Sequence, residues 1–425
     1  MANERVIKIA VIGAGAKAAA IAAKAAVLKQ TEGTEVHVTI FEPHSVGANW
    51  SGKHGYTDGV QRLCTPALRD VGYPYRSNDD VNRLMHAQFS WASFLLSEKA
   101  KFSQWVDQSS KPPEHGLFAK YLKWVVEMSR FPVIRARVMG LMPQGKKWVV
   151  LVQYNGQDPE QSYDDEFDAV VVSGPGPARA LNGSGGGHLV FDGVDFWTRT
   201  KEFGKLVPKR NKGAQIAIVG GGGTAAAALS WIVRHGYRDH EIAMVAKQGA
   251  LFTRGNSVFE NRLFSDDEAW NALSKATRDA FFKRLNRSVV WETVMQDIES
   301  ASNLSFIDGE AERYEIDKQG YLSLFVKRSD KQAPILRPTV VVNAAGFDEW
   351  WFLSLVNGLP PTLAANAKFR TSLRDTMVAD LSFNTRQWKF PRLHVPALSS
   401  VHGPGLGSLM TLGSMSDRVL RPYRG

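Results

Sequence analysis

Two glycine-rich stretches have the residue types and the spacing to hold a pyrophosphate. In IAVIGAGAKAAAIAAKA, Gly13 and Gly15 follow an apolar run and precede an alanine-rich segment. In QIAIVGGGGTAAAALSWI, Gly220 and Gly222 stand in the same context. A strand that turns tightly into a helix brings backbone N–H groups and the positive end of the helix to one point, where a pyrophosphate binds. One such motif is a weak signal, whereas two in one chain predict two dinucleotide sites.

Each glycine motif opens one nucleotide-binding unit of the chain, called the first unit and the second unit. A charged residue after the next strand of each unit distinguishes the two sites. Glu42 ends the alternating segment EVHVTIFE, where a carboxylate can accept both hydroxyls of a ribose, which favours FAD or NAD; a solvated charge is the alternative. Lys247 ends the corresponding segment EIAMVAKQ, and Arg254 follows shortly. Cations there suit a ribose 2′-phosphate and favour NADPH. Lys17 and Thr224, which follow the two glycine motifs, are also predicted to contact the cofactors.

The composition limits the class of protein. A chain of 425 residues is long for one hydrophobic core and predicts at least two domains. Its 52 basic and 42 acidic residues give a net charge of +10, but the basic residues are scattered, which argues against nucleic acid as a partner. The single cysteine, Cys64, excludes dithiol chemistry, and no cysteine or histidine cluster suggests a metal. No apolar run reaches the ~18 residues of a membrane span, so we expect a cytoplasmic protein without membrane contact.

The elements that must position these residues form an α/β fold. The first glycine motif is predicted to open a helix over 18–28 between two strands. Two further apolar runs, FDAVVVSGPGPA and PTVVVNAAGFDEW, are typical of buried parallel strands that turn at the nucleotide face, and we expect the chain to cross between domains there. An NADPH-binding domain at 182–337 is therefore predicted to be inserted into an FAD-binding domain. The FAD-binding domain is built from 1–181 and 338–425 and carries the substrate-binding elements.

Several further motifs carry a resemblance to a known family. They are VGANW, YTDGVQRL with RDVGYPYRS, LFTRGNSVFENRLFSD and the C-terminal GPGLGSLMTLGSMSDRVL. Together with the glycine motifs they resemble the flavin-dependent N-hydroxylating monooxygenases over nearly the whole chain, and most of all the mycobactin-type lysine N-oxygenases of siderophore assembly. The resemblance implies a class B flavoprotein monooxygenase architecture with two Rossmann-like domains. It also implies that FAD, NADPH and O2 convert a terminal amine to a hydroxylamine through a C4a-hydroperoxyflavin, in a chain that forms a dimer or tetramer.

The resemblance assigns individual residues to roles. Trp50 falls in the segment that lines the flavin ring in relatives. Asn261, in FENRLF, matches an asparagine that touches both substrate and nicotinamide cofactor, and it is the candidate catalytic residue. Asn286 and Thr411 fall on further substrate positions. Arg69 falls where relatives usually carry a lysine that pairs with the substrate carboxylate, and because arginine and lysine are not interchangeable at such a site, the identity of the amino acid stays open.

Each substrate assignment has a structural alternative. Asn261 could cap a helix, Arg69 could pair with Asp70, and Thr411 could simply pack. The substrate could be lysine, ornithine, an acylated lysine or a diamine, since the depth of the pocket decides the length. Competing functions are a monooxygenase that attacks sulfur or a ketone, which the absence of a histidine from FDGVDFW disfavours, and a nucleotide-binding protein without turnover. Because the attacking amine must be neutral, we expect activity to rise toward alkaline pH.

Overall fold

The computed structural model describes residues 6–76, 79–99, 101–154, 156, 159–209, 213–254, 257–285, 289–328, 335–384 and 388–424. The strands are β1 (Ile7–Ile12), β2 (Val36–Phe41), β3 (Val133–Ile134), β4 (Arg137–Gln144), β5 (Lys147–Gln153), β6 (Gln161–Phe167), β7 (Ala169–Val172), β8 (Asn182–Ser184), β9 (Val190–Asp192), β10 (Gln215–Val219), β11 (Glu241–Ala246), β12 (Phe252–Arg254), β13 (Val289–Trp291), β14 (Leu304–Asp308), β15 (Glu310–Ile316), β16 (Leu322–Lys327), β17 (Ile335–Leu336), β18 (Val340–Asn343) and β19 (Arg392–His394).

The α-helices are α1 (Ala16–Glu32), α2 (Asp80–Phe89), α3 (Trp91–Ser97), α4 (Lys101–Asp107), α5 (His115–Ser129), α6 (Asp195–Thr198), α7 (Thr200–Leu206), α8 (Gly223–Ile232), α9 (Val258–Ser265), α10 (Asp267–Asn271), α11 (Lys275–Leu285), α12 (Glu292–Ile298), α13 (Pro361–Ala364), α14 (Ala367–Asp375) and α15 (Leu412–Leu420). Short 3₁₀ turns lie at Ala48–Trp50, Trp351–Leu355, Pro396–Val401, Leu409–Thr411 and Arg421–Tyr423, and a π-helical turn lies at Val233–Tyr237.

The first parallel sheet has the strand order β19-β7-β1-β2-β3. Its central strands β7, β1 and β2 are mostly buried, as expected for a parallel sheet that is covered by helices. The longest of these, α1, is rich in alanine, and its small side chains let it pack closely against α5 and α15. Lys24 of α1 is 1% exposed and pairs with Asp417 of α15 at 2.9 Å, so this buried charge is compensated.

The second parallel sheet has the order β14-β11-β10-β18-β9. α8 packs against this sheet and against α12. The sheet includes β18, whereas the sequence-based boundary assigned everything from residue 338 onward to the FAD-binding domain. That boundary is therefore too early, because Val340–Asn343 pairs with β10 and the chain leaves the second sheet only after Asn343.

Two segments carry the chain between the sheets, and they pair with each other. One follows β7 and the other follows β18, as the two apolar runs predicted. The N–H of Arg179 donates to the carbonyl oxygen of Gly346 at 3.0 Å, and the N–H of Asp348 donates to that of Pro177 at 3.0 Å. Tyr56, from the first unit, packs edge-on against Phe347, with ring centres 4.6 Å apart. The two sheets are thus joined by a double connection.

Two negative findings hold for the part of the chain that the structure describes. None of its helices is both long and apolar enough to cross a membrane. Among the same residues, no group of three histidine, cysteine, aspartate or glutamate side chains is placed to hold a metal ion.

Candidate active site

The first glycine turn is shaped to admit a ligand. The N–H of Gly13 donates to the carbonyl oxygen of Phe41 at 2.8 Å, and Gly13 has a φ of +91°, which favours glycine. A Cβ on Gly13 would lie 2.9 Å from Ser173 Oγ, so close packing at this turn also requires a residue without a side chain. By contrast, a Cβ on Gly15 would meet no protein atom within 4 Å, because Gly15 faces open space at the N-terminus of α1. That open space is where a pyrophosphate would approach the helix.

Glu42 is fixed beside this turn. Its Oε2 accepts from the N–H of Ala14 at 3.1 Å, and its Oε1 accepts from the N–H of His44 at 3.0 Å. Both oxygens keep further acceptor capacity for the hydroxyls of a ribose. The carboxylate is therefore held at the end of β2, where the sequence predicted it.

A cavity of about 210 Å³ opens in front of the first glycine turn. It is lined by residues from several separate parts of the chain: Gly13, Ala14, Gly15, Ala16, Lys17, Glu42, Gly47, Ala48, Asn49, Trp50, Tyr56, Thr57, His115, Ser173, Gly174, Pro175 and Leu409. The predicted FAD residues of the first unit are all in this lining. The structure therefore brings together the glycine turn, the acidic residue and the tryptophan that the sequence motifs singled out.

Lys17 gives this cavity a cation that suits an anionic ligand. Its Nζ donates to the carbonyl oxygen of Ser173 at 3.4 Å, and burial lowers the pKa of its ammonium to about 8. No carboxylate pairs with Lys17 among the described residues. A pyrophosphate would supply the missing opposite charge, so the donor set of this cavity fits a dinucleotide.

The far wall of the cavity is aromatic. Trp50 stands edge-on to His115, with ring centres 4.8 Å apart, and edge-on to Phe118 at 5.4 Å. Burial lowers the pKa of His115 to about 4, so its imidazole is neutral near pH 7, and its Nδ1 is 2.9 Å from Thr57 Oγ1. Sequence reasoning gave no role to Thr57 or His115. The motif YTDGVQRL, which contains Thr57, was the available signal, whereas nothing local marks His115.

The second glycine turn repeats the design of the first. Gly220 has a φ of +117°, its N–H donates to the carbonyl oxygen of Val245 at 2.8 Å, and a Cβ on it would lie 2.4 Å from the carbonyl oxygen of Ala344. Gly222 is the N-cap of α8, and a Cβ there would meet nothing within 4 Å. Thr224 lies half-buried in the first turn of α8. This open helix N-terminus can also receive a pyrophosphate.

Lys247 lies at the end of β11 but is not free. Its Nζ pairs with Glu310 Oε2 at 2.9 Å, and its side chain is 70% exposed. A cavity of about 240 Å³ beside it is lined by Lys247, Asp308, Gly309, Glu310, Lys327 and Arg328. Arg254 ends β12, and its side chain lies outside the described part of the structure. The role of Lys247 and Arg254 toward a 2′-phosphate stays a prediction.

Arg69 points toward the C-terminal turn rather than toward its neighbour in sequence. Its Nη1 donates to the carbonyl oxygen of Met410 at 3.4 Å, and its guanidinium lies 5.1 Å from the ring centre of Tyr73. The carboxylate of Asp70 instead turns inward, where it accepts from the hydroxyl of Tyr75 at 2.7 Å and from the N–H of Trp91 at 2.9 Å. Arg69 is half-buried, which lowers the pKa of its guanidinium, and it is available to bind a carboxylate.

Thr411 lies next to this contact and carries a buried hydroxyl. The residue is 1% exposed, and its Oγ1 has no hydrogen-bond partner in the described part of the chain. A Cβ on Gly405 would lie 2.5 Å from that oxygen, so the absence of a side chain at Gly405 lets its backbone pack closely against the Thr411 hydroxyl. Leu409, two residues earlier, lines the first cavity. The short turn Leu409–Thr411 therefore connects the cofactor cavity with Arg69.

Asn261 lies inside α9 and does not cap it. The N-cap is Ser257, whose hydroxyl accepts from the N–H of Glu260. One helical turn after Asn261, Phe264 packs in a cluster with Met410, so Asn261 shares the helix face that meets the turn Leu409–Thr411. Asn286, the remaining substrate candidate, lies outside the described residues. Arg69 thus contacts the turn that contains Thr411, at the edge of the first cavity, and α9, the helix that carries Asn261, packs against the same turn.

Comparisons with known proteins agree with this arrangement. The family model described as L-lysine 6-monooxygenase/L-ornithine 5-monooxygenase matches residues 85–318. The chain is 32% identical to L-lysine N6-monooxygenase MbtG of Mycobacterium tuberculosis (strain ATCC 25618 / H37Rv), over 97% of this chain and 94% of that protein. The structure of lysine monooxygenase NbtG from Nocardia farcinica superposes with a TM-score of 0.79 at 28% identity, over 97% of this chain and 100% of that one. Kutzneria sp. 744 ornithine N-hydroxylase KtzI shares the fold, with a TM-score of 0.73 at 16% identity over 99% of each chain.

The fold and the two glycine turns define a flavin-dependent monooxygenase with two Rossmann-like dinucleotide-binding domains. Within that class the chain belongs to the L-lysine 6-monooxygenase/L-ornithine 5-monooxygenase family. It is an N-hydroxylating enzyme that uses FAD and NADPH, as the sequence motifs predicted.

Proposed function

We propose that the chain hydroxylates the terminal amine of L-lysine to N6-hydroxylysine, in the assembly of a siderophore or a related natural product. The observation that carries this proposal is the contact of Arg69 with the turn Leu409–Thr411 beside the first cavity, a turn against which α9, the helix of Asn261, also packs. A carboxylate bound by Arg69 would leave the far end of an amino acid free to reach that cavity. The name of the mycobacterial relatives supports lysine as the amino acid.

The first unit is proposed to hold FAD. Gly15 and Lys17 would contact the pyrophosphate, Glu42 the ribose, and Trp50 the ring system. The second unit, with Gly220, Gly222 and Thr224, is proposed to hold NADPH. When bound and reduced by NADPH, the flavin supplies activated oxygen derived from O2.

The protein residues would then act mainly by positioning. Arg69 would fix the carboxylate end of lysine, and the unpaired hydroxyl of Thr411, on the turn that Arg69 contacts, would offer the substrate a hydrogen-bonding group. Holding the far end of the substrate brings the amine to the reacting oxygen. The apolar wall around Trp50 excludes water, and this protects the activated oxygen from leaking away as peroxide.

The amine of the substrate must lose a proton before it reacts. A free lysine amine is mostly protonated at pH 7, and burial in the cavity would lower its pKa. The neutral amine is the nucleophile, so the rate is expected to rise as the pH increases from 6 to 9. His115 does not serve as the base in this scheme, because its pKa of about 4 leaves it neutral and a weak base over this range.

The direct test is hydroxylamine formation by the purified enzyme with FAD and NADPH. Lysine, ornithine, putrescine and cadaverine are compared, and NADPH consumption and peroxide are followed in parallel. Hydroxylamine from lysine in step with NADPH consumption supports the proposal. Product from ornithine or a diamine alone overturns the choice of lysine, and oxygenation of sulfides or ketones without any hydroxylamine overturns the reaction. Light scattering tests the predicted dimer or tetramer.

A further inference from the structure

The turn at Tyr56 joins three parts of the molecule through three consecutive side chains. The hydroxyl of Tyr56 donates to a carbonyl oxygen of the first crossing segment at 3.2 Å. Thr57 bonds to His115 on the wall of the first cavity. Asp58 Oδ2 accepts from Nη2 of Arg234, in the second unit, at 2.9 Å. One short turn therefore touches the FAD cavity and the NADPH unit at once.

Asp58 is fixed by its own turn before it meets Arg234. Its Oδ1 accepts from the N–H groups of Val60 and Gln61, each at 3.0 Å. The side chain is 14% exposed, and the remaining oxygen, Oδ2, faces the guanidinium. The carboxylate thus presents one oriented acceptor to the second unit.

Arg234 is held in place by side chains of the second unit. Its Nε donates to Ser230 Oγ at 3.3 Å and lies 3.7 Å from Asp297 Oδ2. Ser230 in turn donates to Asp297 at 2.8 Å, which ties α8 to α12. Arg234 follows directly on α8, the helix whose N-terminus is the second glycine turn. A displacement of Arg234 would therefore shift the helix that receives the pyrophosphate of NADPH.

We propose that Asp58 and Arg234 are positioning residues, which hold the NADPH unit against the FAD cavity in the geometry that hydride transfer requires. The inference rests on the proposed assignment of FAD to the first unit and NADPH to the second. Neither side chain lines the glycine turns. The pair acts through the turn at Tyr56, which lines the cavity, and through α8.

The first experiment measures reduction of the bound flavin by NADPH in the absence of oxygen. Arg234→Gln breaks the pair but leaves the turn around Asp58 intact, and Asp58→Asn keeps an acceptor for Val60 and Gln61. In both variants we expect the limiting rate of flavin reduction to fall by about tenfold, because small misplacement of reacting groups slows transfer steeply. The double variant falls no further than either single variant. Arg234→Lys, which keeps the charge, restores part of the rate.

Arg199→Gln is the matched control. Arg199 also belongs to the second unit, its side chain is 25% exposed compared with 27% for Arg234, and its Nε pairs with Glu202 at 2.8 Å within the same unit. It should reduce flavin at the wild-type rate. The proposal is overturned if Arg234→Gln behaves like Arg199→Gln, or if the effects of Asp58→Asn and Arg234→Gln add in the double variant.

A second measurement needs no cofactor. Hydrogen–deuterium exchange of the peptide covering 56–64 is compared in the wild type, Arg234→Gln and Arg199→Gln, all free of nucleotide. Faster exchange only in Arg234→Gln supports the pair, since the turn loses its anchor on the second unit, and equal exchange contradicts it. If the wild-type flavin is not reduced by NADPH at all, the proposed function fails instead, and the exchange data still decide whether the pair exists.

Discussion

The guanidinium of Arg69 donates to the carbonyl oxygen of Met410, 3.4 Å away, across a separation of more than three hundred residues. The same nitrogen lies 3.7 Å from the Met410 sulfur. Both are weak contacts for a cation, and a guanidinium gains more from a bidentate carboxylate. Arg69 is therefore held near the C-terminal turn without its binding capacity being used up.

Replacing Arg69 should weaken the binding of amino acids far more than that of diamines. We expect Arg69→Ala to raise the KM for lysine by about a hundredfold, because one charge-assisted pair of hydrogen bonds is lost. The change in kcat should be smaller. Arg69→Lys keeps the charge and should raise KM less. Steady-state kinetics with lysine and cadaverine measure the difference, because cadaverine has no carboxylate.

Arg370→Ala is the control for Arg69, since Arg370 also donates to a backbone carbonyl, that of Ala364, at 2.7 Å. It should leave both KM values unchanged. An Arg69→Ala enzyme that still binds lysine normally would show that the carboxylate is held elsewhere.

The unpaired buried hydroxyl of Thr411 should lower the stability of the protein and strengthen the binding of substrate. Replacing Thr411 by Val removes an unpaired buried oxygen at nearly constant volume, so the free energy of unfolding should increase by about 1 kcal/mol. The same change should raise the KM for the substrate. Thermal unfolding measures the change in stability, and steady-state kinetics measure the change in KM.

Thr39 offers a matched control, because it is also 1% exposed and its Oγ1 is also without a partner in the described chain. Thr39→Val should stabilise the protein to a similar degree and leave the kinetics unaltered. If both variants have wild-type KM values, Thr411 serves packing alone.

The sequence predicted what repeats locally and missed what depends on the tertiary arrangement. The turns at Gly13 and Gly220 follow from apolar runs that end in glycine, and both were found where predicted. The boundary at residue 338 was misplaced because a buried parallel strand such as Val340–Asn343 has the same apolar pattern in either sheet. His115 has no local motif and lies on the wall of the cavity only because α5 packs behind Trp50.

Lys17 should make FAD binding depend on pH. Burial lowers the pKa of its ammonium to about 8 in the protein without cofactor, and a bound pyrophosphate would raise it again. Binding is then coupled to proton uptake between these two pKa values. FAD affinity should therefore weaken as the pH rises above about 8, by up to about tenfold per pH unit, and should level off below it.

Flavin fluorescence titration from pH 7 to pH 10 measures this dependence. Lys17→Met should bind FAD more weakly at pH 7 and lose the slope. Lys29→Met is the control: Lys29 lies in the last turn of α1, 62% exposed and paired with Glu35 at 2.9 Å. A Lys17→Met protein with an unchanged slope would assign the titration to another group.

Lys247 should distinguish NADPH from NADH. It pairs with Glu310 on the surface, so binding of a 2′-phosphate exchanges one exposed partner for a doubly charged one, and the net gain is modest. We expect Lys247→Ala to raise the KM for NADPH by about fivefold and to leave that for NADH within twofold, and the difference should shrink at high salt. Lys123→Ala is the matched control, because Lys123 forms a similarly exposed pair with Glu127 in the first unit. Equal losses with both nucleotides would place the 2′-phosphate away from the end of β11.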